Sequence, residues 1–308
     1  MDVIEVQNLT KKYGSFTAVD HISFTVRRGS LLGFLGVNGA GKSTTIHMLS
    51  TLLTPDEGSA RLCGYALGKE DQDIRRRIGI VYQQNCLDDM LTVQENLICR
   101  GVLHGAAKSE ARRQLEHLSS ILKLDDIMKK KYRTLSGGQK RRCEIAAALM
   151  HTPEILFLDE PTTGLDPATR QDVWAAVQQL QKNEKITVFL TTHYMEEAAA
   201  ADNIIILNHG KIITSGTAFE LKEKYACDKL RLYFSDEKWP AVEAALDKIT
   251  NISRQKGRGA EIQLKSTRNA IPLIEAVKDY VNGFEVIQGN MDDVFLNAAG
   301  EEDRRADR

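Results

Sequence analysis

The chain has 308 residues, and its 41 basic and 42 acidic side chains leave a formal net charge of −1. Such a near-neutral balance excludes a general electrostatic attraction to nucleic acid or to an anionic membrane surface, and the length favours about two domains. The longest apolar runs are strand-sized, the N-terminus lacks the pattern of a secretory signal, and the five cysteines form no CxxC pair. We therefore expect a cytoplasmic protein of a reducing compartment, with no structural zinc, disulfide framework or membrane span of its own.

The N-terminal segment alternates apolar and polar residues in the way typical of strands. Residues 3–6 and 22–26 are predicted strands, with a turn between them near Gly14. Residues 30–35 are predicted to form a buried strand, and a glycine-rich turn and a helix from Gly41 to about residue 52 follow it. A strand, a glycine turn and a helix in this order predict a parallel βαβ core.

Helical and strand patterns alternate through the middle of the chain. Residues 88–124 show the apolar spacing of a packed helical subdomain, and a second helix is predicted from Ser136 to about residue 150. The alternation that follows indicates the α/β class. The predicted segments are a strand at 155–158, a helix at 167–181, a strand at 186–190, a short helix, and strands at 204–207 and 211–213.

The pattern changes near residue 226. From there to about residue 300 the predicted order is βαββαβ, which suggests a small α+β domain of the ferredoxin-like kind. A charged tail, expected to be frayed, occupies residues 301–308. The predicted elements are a strand at 229–234, a helix at 238–249, a hairpin of 252–255 and 260–264 with its turn at 256–259, a helix at 269–281, and a strand at 284–287.

A phosphate-binding pattern follows the predicted strand at 30–35. Residues 36–44, GVNGAGKST, fit G-x-x-x-x-G-K-[ST], in which glycines let backbone N–H groups turn toward an anion and the next helix directs its N-terminal N–H groups at phosphates. Lys42 is expected to reach the β- and γ-phosphates, and the Ser43 hydroxyl to ligate Mg²⁺. A dinucleotide-binding fingerprint would need glycine where Thr44 stands. The other alternative is an incidental glycine-rich turn, and the strand before the loop and the helix after it argue against that. The predicted phosphate-binding residues here are Gly36, Asn38, Gly39, Ala40, Gly41, Lys42, Ser43 and Thr44.

Two carboxylates end the predicted strand at 155–158. Ligands of parallel sheets sit beyond the carboxyl ends of the strands, so Asp159 is expected to hold Mg²⁺ and Glu160 to polarise the attacking water as a general base. A strand that simply ends in a solvated acidic turn is the alternative, and a phosphate loop in the same chain makes it a poor one.

The residues LSGGQ at 135–139 lie between these two motifs. They resemble the signature of ATP-binding cassette (ABC) ATPases, and residues 3–221 follow that family's order of motifs. The resemblance implies a P-loop core with an antiparallel β lobe and a helical subdomain at about 88–150, within an ATP-binding domain of residues 1–225. It also implies ATP and Mg²⁺ as ligands, and a head-to-tail homodimer. In that dimer, one subunit's signature contacts the γ-phosphate held by the other, through Ser136, Gly137, Gly138 and Gln139.

The same resemblance assigns roles to residues outside the three motifs. Tyr13 would stack on adenine, with Val19 as a minor apolar contact. Gln83 would sense Mg²⁺ and the attacking water, although its neighbour Gln84 leaves the register open by one residue.

Two more segments complete the site that the resemblance implies. Asp166, with Leu165 before it, would cross the dimer interface, and His193 would contact the γ-phosphate and orient the catalytic carboxylate. The predicted catalytic residues are thus Lys42, Gln83, Glu160 and His193, and the predicted metal-binding residues are Ser43, Gln83 and Asp159.

Three segments are similar to the ATPases of exporters of the daunorubicin-resistance and sodium-export kind. They are residues 91–97, 162–167 and 291–296. This resemblance implies an export ATPase that sits on the inner face of the cell membrane through a separate integral-membrane permease, with a drug, ion or lipid-like substrate. The docking groove for the permease would lie near Gln83 and the residues after it.

Two other function classes compete with export. A soluble ABC ATPase acting on ribosomes, DNA or iron–sulfur assembly is the alternative, and a non-catalytic module conflicts with the complete catalytic set. The basic run at residues 140–142 is expected to be a solvated helix face rather than a nucleic-acid patch, so no nucleic-acid partner is expected.

Overall fold

Two long strands joined at Gly14 begin the fold. The computed structural model describes residues 1–246, 252–255 and 259–306, which form two compact units divided between Thr217 and Ala218. The elements of the first unit, in chain order, are β1 (Asp2–Tyr13), β2 (Phe16–Arg27), β3 (Leu31–Leu35), α1 (Lys42–Leu49), β4 (Glu57–Leu62), β5 (Tyr65–Ala66), α2 (Asp71–Arg75), β6 (Ile78–Val81), α3 (Val93–Leu103), α4 (Lys108–Leu122), α5 (Gly137–Leu149), β7 (Ile155–Asp159), α6 (Pro167–Glu184), β8 (Thr187–Thr192), a 3₁₀ helix (Met195–Ala200), β9 (Asn203–Asn208) and β10 (Lys211–Gly216).

Strands β2, β1, β4 and β5, in that order, make an antiparallel sheet. Gly14 has a φ of +59°, which glycine adopts without strain, and the turn predicted there is confirmed. Strands β4 and β5 and helix α2 were not indicated by the sequence pattern, because they are short and β4 buries only two of its side chains.

A six-stranded sheet, ordered β10-β9-β3-β8-β7-β6, forms the centre of the first unit. All its pairings are parallel except that of β10 with β9, and β3, β7 and β8 are buried along their whole length. Their continuous apolar runs are typical of parallel strands covered on both faces. The predicted α/β class is confirmed.

Aromatic side chains join the two sheets. The rings of Phe34 and Phe157 lie 5.1 and 5.3 Å from that of Phe189, and Phe24 of β2 reaches within 5.6 Å of Phe34. Tilted aromatic pairs of this kind contribute about 0.5–1.5 kcal/mol each beyond the apolar area that they bury. These contacts pack the antiparallel sheet against the central sheet.

Helices α3, α4 and α5 pack together as the helical subdomain. The continuous helical stretch predicted at 88–124 is wrong in detail, because Gly105 with a φ of +92° separates α3 from α4. Thr92 and Glu95 form a capping box that begins α3. The apolar interior of this subdomain includes Leu97, Leu115 and Ile145.

The second unit contains the predicted βαββαβ order. Its sheet is antiparallel with the order β12-β13-β11-β14, which is the ferredoxin-like arrangement, and buried Leu230, Leu232, Ile262 and Val277 form its interior. Residues 247–249 of the predicted helix and 256–258 of the predicted turn lie outside the described residues. The elements are α7 (Ala218–Tyr225), β11 (Asp228–Tyr233), α8 (Trp239–Ala245), β12 (Ile252–Gln255), β13 (Gly259–Leu264), α9 (Ala270–Val277), β14 (Gly283–Ile287) and α10 (Met291–Ala306).

Helices α7 and α10 differ from the sequence-based expectations. Helix α7 packs on α10, and Asn297 Nδ2 donates to Tyr225 O at 2.7 Å, so the division of the chain precedes α7 rather than following residue 225. The frayed tail predicted from residue 301 is wrong as far as Ala306, because α10 continues to that residue. Glutamate, arginine and alanine are strong helix formers, which accounts for the continuation. None of the described helices is long and apolar enough to cross a membrane.

Candidate active site

The loop between β3 and α1 has no room for side chains at two glycines. A Cβ on Gly36 would lie 2.6 Å from the Leu207 carbonyl oxygen, and one on Gly41 would lie 2.5 Å from that of Ala18. Gly41 also has a φ of +105° and immediately precedes α1, whose start no side chain caps. The first N–H groups of α1 are thus left for a ligand, as an anion site requires.

A cleft of about 630 Å³ opens over this loop. It brings together predicted residues from the first hairpin, the loop, and the ends of β6, β7 and β8, and it adds Phe16, Ala18 and Thr163, which the sequence did not suggest. Its lining residues are Tyr13, Phe16, Ala18, Asn38, Gly39, Gly41, Lys42, Ser43, Thr44, Gln83, Glu160, Thr163 and His193.

Two predicted contacts lie behind this lining. Val19 is fully buried, with its Cγ2 3.2 Å from where a Cβ on Gly41 would stand, and Ala40 is buried as well. Both therefore shape the loop from behind rather than from the cleft. Phe16, across the hairpin turn from Tyr13, could have been found from its position two residues after Gly14.

Lys42 is a buried cation at the floor of the cleft. Its Nζ donates to the Gly36 and Val37 carbonyl oxygens at 2.8 and 3.2 Å and lies 3.5 Å from Glu160 Oε1. Burial lowers the pKa of Lys42, and the charge of Glu160 partly opposes that shift. The ammonium group is therefore positioned to contact an anionic ligand bound in the cleft.

A hydroxyl and a carboxylate meet beside Lys42. Ser43 Oγ donates to Asp159 Oδ1 at 3.1 Å, and Thr191 Oγ1 donates to the same oxygen at 2.6 Å. Asp159 is buried at the end of β7, and Gln83 lines the cleft after β6. Oxygen ligands of this kind, next to a phosphate loop, fit Mg²⁺, so the predicted metal-binding residues are suited to that ion.

Glu160 and His193 face each other across the mouth of the cleft. His193 Nδ1 lies 3.2 Å from Glu160 Oε2, which also accepts from Thr163 Oγ1 at 3.1 Å. The backbone of Glu160 has a φ of +46°, and its N–H is bonded to Thr191 on the neighbouring strand. A carboxylate so fixed can accept a proton from a water molecule in the cleft.

The loop that carries His193 is held by a carboxylate that the sequence did not indicate. Glu197 accepts from Thr162 Oγ1 at 2.8 Å and from Thr192 Oγ1 at 3.1 Å, and its other oxygen lies 3.3 Å from Arg170 Nε. Glu197 therefore ties the segment after Glu160 to the segment before His193. Glutamates occupy both positions 196 and 197, and nothing in the sequence indicated which of them would make these contacts.

The signature residues lie elsewhere on the surface of the same unit. Ser136 and Gln139 form a capping box at the start of α5, and Asp166 caps α6 by accepting from Thr169 N at 3.0 Å. Gly138 is pressed against Thr169, since a Cβ would lie 2.0 Å from its Cγ2. Among the described residues that line the cleft, none comes from the signature or from Asp166.

The expectation for the basic run at 140–142 is wrong at Arg141. That side chain is 5% exposed, and its guanidinium donates to the backbone carbonyls of Tyr82, Asp159 and Pro161. Burial lowers the pKa of Arg141 to about 10. A run of like charges gave no sign that one member points into the interior.

Comparisons with known proteins bear on the family of the chain. The family profile described as "ABC transporter" matches residues 19–163. Over 96% of this chain and 92% of the relative, the sequence is 39% identical to the daunorubicin/doxorubicin resistance ATP-binding protein DrrA of Streptomyces peucetius. The chain belongs to the ABC transporter family. Its phosphate loop and the Glu160 strand end both fall inside the matched region.

Two further comparisons concern activity and fold. The Nod factor export ATP-binding protein I of Ralstonia nicotianae is 35% identical over 98% of this chain and 95% of its own. The ATP-binding cassette MJ0796, solved as a dimer in a post-hydrolysis state bound to ADP and Pi, superposes with a TM-score of 0.63 at 27% identity, over 70% of this chain and 98% of that one.

The predicted fold, family and ATPase activity of the chain are confirmed. It is an ABC ATPase that binds ATP and couples its hydrolysis to export. Neither of the two named relatives favours the alternative of a non-transport partner.

Proposed function

We propose that ATP binds with its phosphates on residues 36–44 and that two copies of the chain hydrolyse it head to tail. The observation that carries this proposal is the convergence of Lys42, Glu160 and His193 at the floor and mouth of one cleft. Lys42 would neutralise phosphate charge, and the N–H groups at the start of α1 would bind phosphate oxygens. Tyr13, half-exposed on the rim, would stack on the adenine ring.

Magnesium would be held by Ser43 and Asp159, with Gln83 beside them. Bound there, the ion would neutralise charge on the phosphates during transfer. Thr191 would orient the Asp159 carboxylate through their hydrogen bond.

Glu160 would serve as the general base. Its Oε2 would accept a proton from the attacking water, while His193 and Thr163 hold that oxygen in place. The Lys42 ammonium lies 3.5 Å from the other carboxylate oxygen and so links Glu160 to the phosphate loop.

A second copy of the chain would complete each site. The start of α5 is exposed at Ser136 and Gly137 and lies apart from the cleft of its own chain, so it is free to meet the γ-phosphate bound to a partner. The dimeric state of MJ0796 supports this arrangement.

A separate integral-membrane permease would place this dimer on the cytoplasmic face of the cell membrane. A cavity of about 290 Å³, whose lining includes Tyr82, Cys86, Arg100 and His104, lies beside Gln83 and supports docking of a cytoplasmic segment of the permease there. The relatives named for daunorubicin/doxorubicin resistance and for Nod factor export support a drug or a Nod-factor-like molecule as the exported substrate.

Glu160→Gln tests the proposal. We expect the purified variant to lose steady-state ATP hydrolysis by at least about 100-fold, to keep its ATP affinity, and to accumulate as a dimer with ATP in size-exclusion chromatography with light scattering. Glu116→Gln, an exposed change on α4, is the matched control and should leave the rate unchanged. An unaltered rate in Glu160→Gln would reject the assigned base.

A further inference from the structure

Two buried charged side chains project from α5 one turn apart. Arg141 is 5% and Glu144 6% exposed. Burying a charge is costly unless its hydrogen bonds are satisfied. The hydrogen-bond partners of these two side chains therefore indicate why they are buried.

The Arg141 guanidinium joins two segments of the site. Its Nε donates to the Pro161 carbonyl oxygen at 2.7 Å and its Nη2 to that of Asp159 at 3.0 Å, so it holds the backbone on both sides of Glu160. Its Nη1 donates to the carbonyl of Tyr82, the residue before Gln83. The planar fork of arginine can reach all these carbonyls at once, whereas the ammonium group of lysine cannot match that geometry.

Glu144 holds the other end of the segment that begins at Tyr82. Its Oε1 accepts from the backbone N–H groups of Cys86 and Leu87 at 2.8 and 3.1 Å, and from Tyr132 Oη at 2.7 Å. Residues 82–87, which include Gln83, are thus bonded at both ends to α5, the helix that Ser136 caps. That helix is the one proposed to meet the partner's nucleotide.

We propose that Arg141 and Glu144 are positioning residues that transmit the position of α5 to Gln83 and to Glu160 in the same chain. This inference rests on the proposed function. Engagement of the Ser136 end by a second subunit would be carried through one rigid helix to the residues that place the attacking water. Neither side chain needs to touch the nucleotide.

The first test compares neighbouring arginines. Arg141→Met should lower kcat for ATP hydrolysis at least about tenfold and change KM less than about twofold, since it displaces the groups around the water rather than the phosphate loop. Arg141→Lys should recover only part of that loss. Arg142→Met is the matched control, because Arg142 donates at 3.3 Å to the Leu122 and Lys123 carbonyls at the end of α4, and it should keep kcat within about twofold.

The second test asks whether Arg141 acts through Gln83. If it does, the fold losses in kcat caused by Arg141→Met and Gln83→Ala will not multiply in the double variant, as expected for groups that work as a unit. Multiplying losses, or an Arg141→Met variant with the kcat of the wild type, would overturn the inference. Should Arg141→Met not fold, as judged by its thermal unfolding, Arg141→Lys with Gln83→Ala is the pair to measure.

The two proposals fail in different ways. A Glu160→Gln variant that still hydrolyses ATP contradicts the proposed function. A dead Glu160→Gln variant together with fully active Arg141→Met and Arg141→Lys variants contradicts only the role of α5.

Discussion

The starts of helices α1 and α5 are built in opposite ways. Helix α1 follows Gly41 and has no side-chain cap, and Lys42 stands beside its unpaired N–H groups in the cleft. Helix α5 is capped by Ser136 and Gln139 from its own sequence. The first end is left incomplete so that a ligand can complete it, whereas the second is complete and offers an exposed surface. This contrast supports the proposal that α1 acts within one chain and α5 between two.

The largest effect that would separate these two ends is expected from Ser136→Asp. Aspartate caps a helix as well as serine does, so α5 should still begin at Gly137, but a carboxylate would now face the partner's phosphates. We expect ATP hydrolysis to fall at least about 100-fold, with affinity for a fluorescent ATP analogue within about twofold of wild type. Loss of analogue binding would show that Ser136 acts in its own cleft.

A mixture of two inactive variants tests the same head-to-tail arrangement. Lys42→Ala disables the cleft of its own chain and leaves the signature intact, and Ser136→Asp does the reverse. In a mixed dimer, one of the two sites combines the intact halves, so hydrolysis should reappear when the two proteins are combined. If the mixture is no more active than its components, the head-to-tail arrangement is wrong.

Gly138→Ala should have the next largest effect, on folding. Its new Cβ would lie 2.0 Å from Thr169 Cγ2, and overpacking of this kind costs about 1–3 kcal/mol in the free energy of unfolding. Gly137→Ala is the matched control, because its Cβ would meet only Leu165 Cδ2 at 3.4 Å. Denaturant unfolding should show the loss only at Gly138, and Thr169→Ser, which removes Cγ2, should restore it. No rescue would argue against the contact.

Thr191→Val tests the metal-binding residues beside α1 by removing a hydrogen bond to Asp159. Removing the hydroxyl takes away the donor to Asp159 Oδ1, so we expect the Mg²⁺ concentration needed for half-maximal hydrolysis to rise about three- to tenfold. Thr187→Val, the same change at the other end of β8, where the hydroxyl accepts from Gly29 N, should leave the Mg²⁺ dependence unaltered. An equal response in both variants would indicate a general effect on the strand.

The smallest effect is expected from Tyr13→Ala. Because Tyr13 is 50% exposed, loss of stacking should raise KM for ATP only about three- to fivefold, while Tyr13→Phe should keep it. Phe16→Ala tests the neighbouring aromatic side chain on the same rim. A larger rise in KM for Phe16→Ala than for Tyr13→Ala would transfer the stacking role to Phe16.

The sequence predicted those parts of the site that are contiguous motifs at the ends of strands or the starts of helices. The phosphate loop and Glu160 need only local geometry, and their flanking strands are recognisable by their apolar runs. Arg141, Glu144 and Glu197 were missed because their partners are distant in the sequence and an isolated charged residue is ordinarily solvated. The short strands β4 and β5 were missed for a related reason: their neighbours, rather than their own pattern, keep them extended.

The left-handed backbone of Glu160 bears on how this position evolves. A φ of +46° costs a residue with a Cβ about 1–2 kcal/mol, a cost that glycine avoids. Selection for a more robust fold alone would thus tend to remove the glutamate. Libraries screened only for thermal tolerance should accumulate glycine or asparagine at position 160 and lose turnover as they do so.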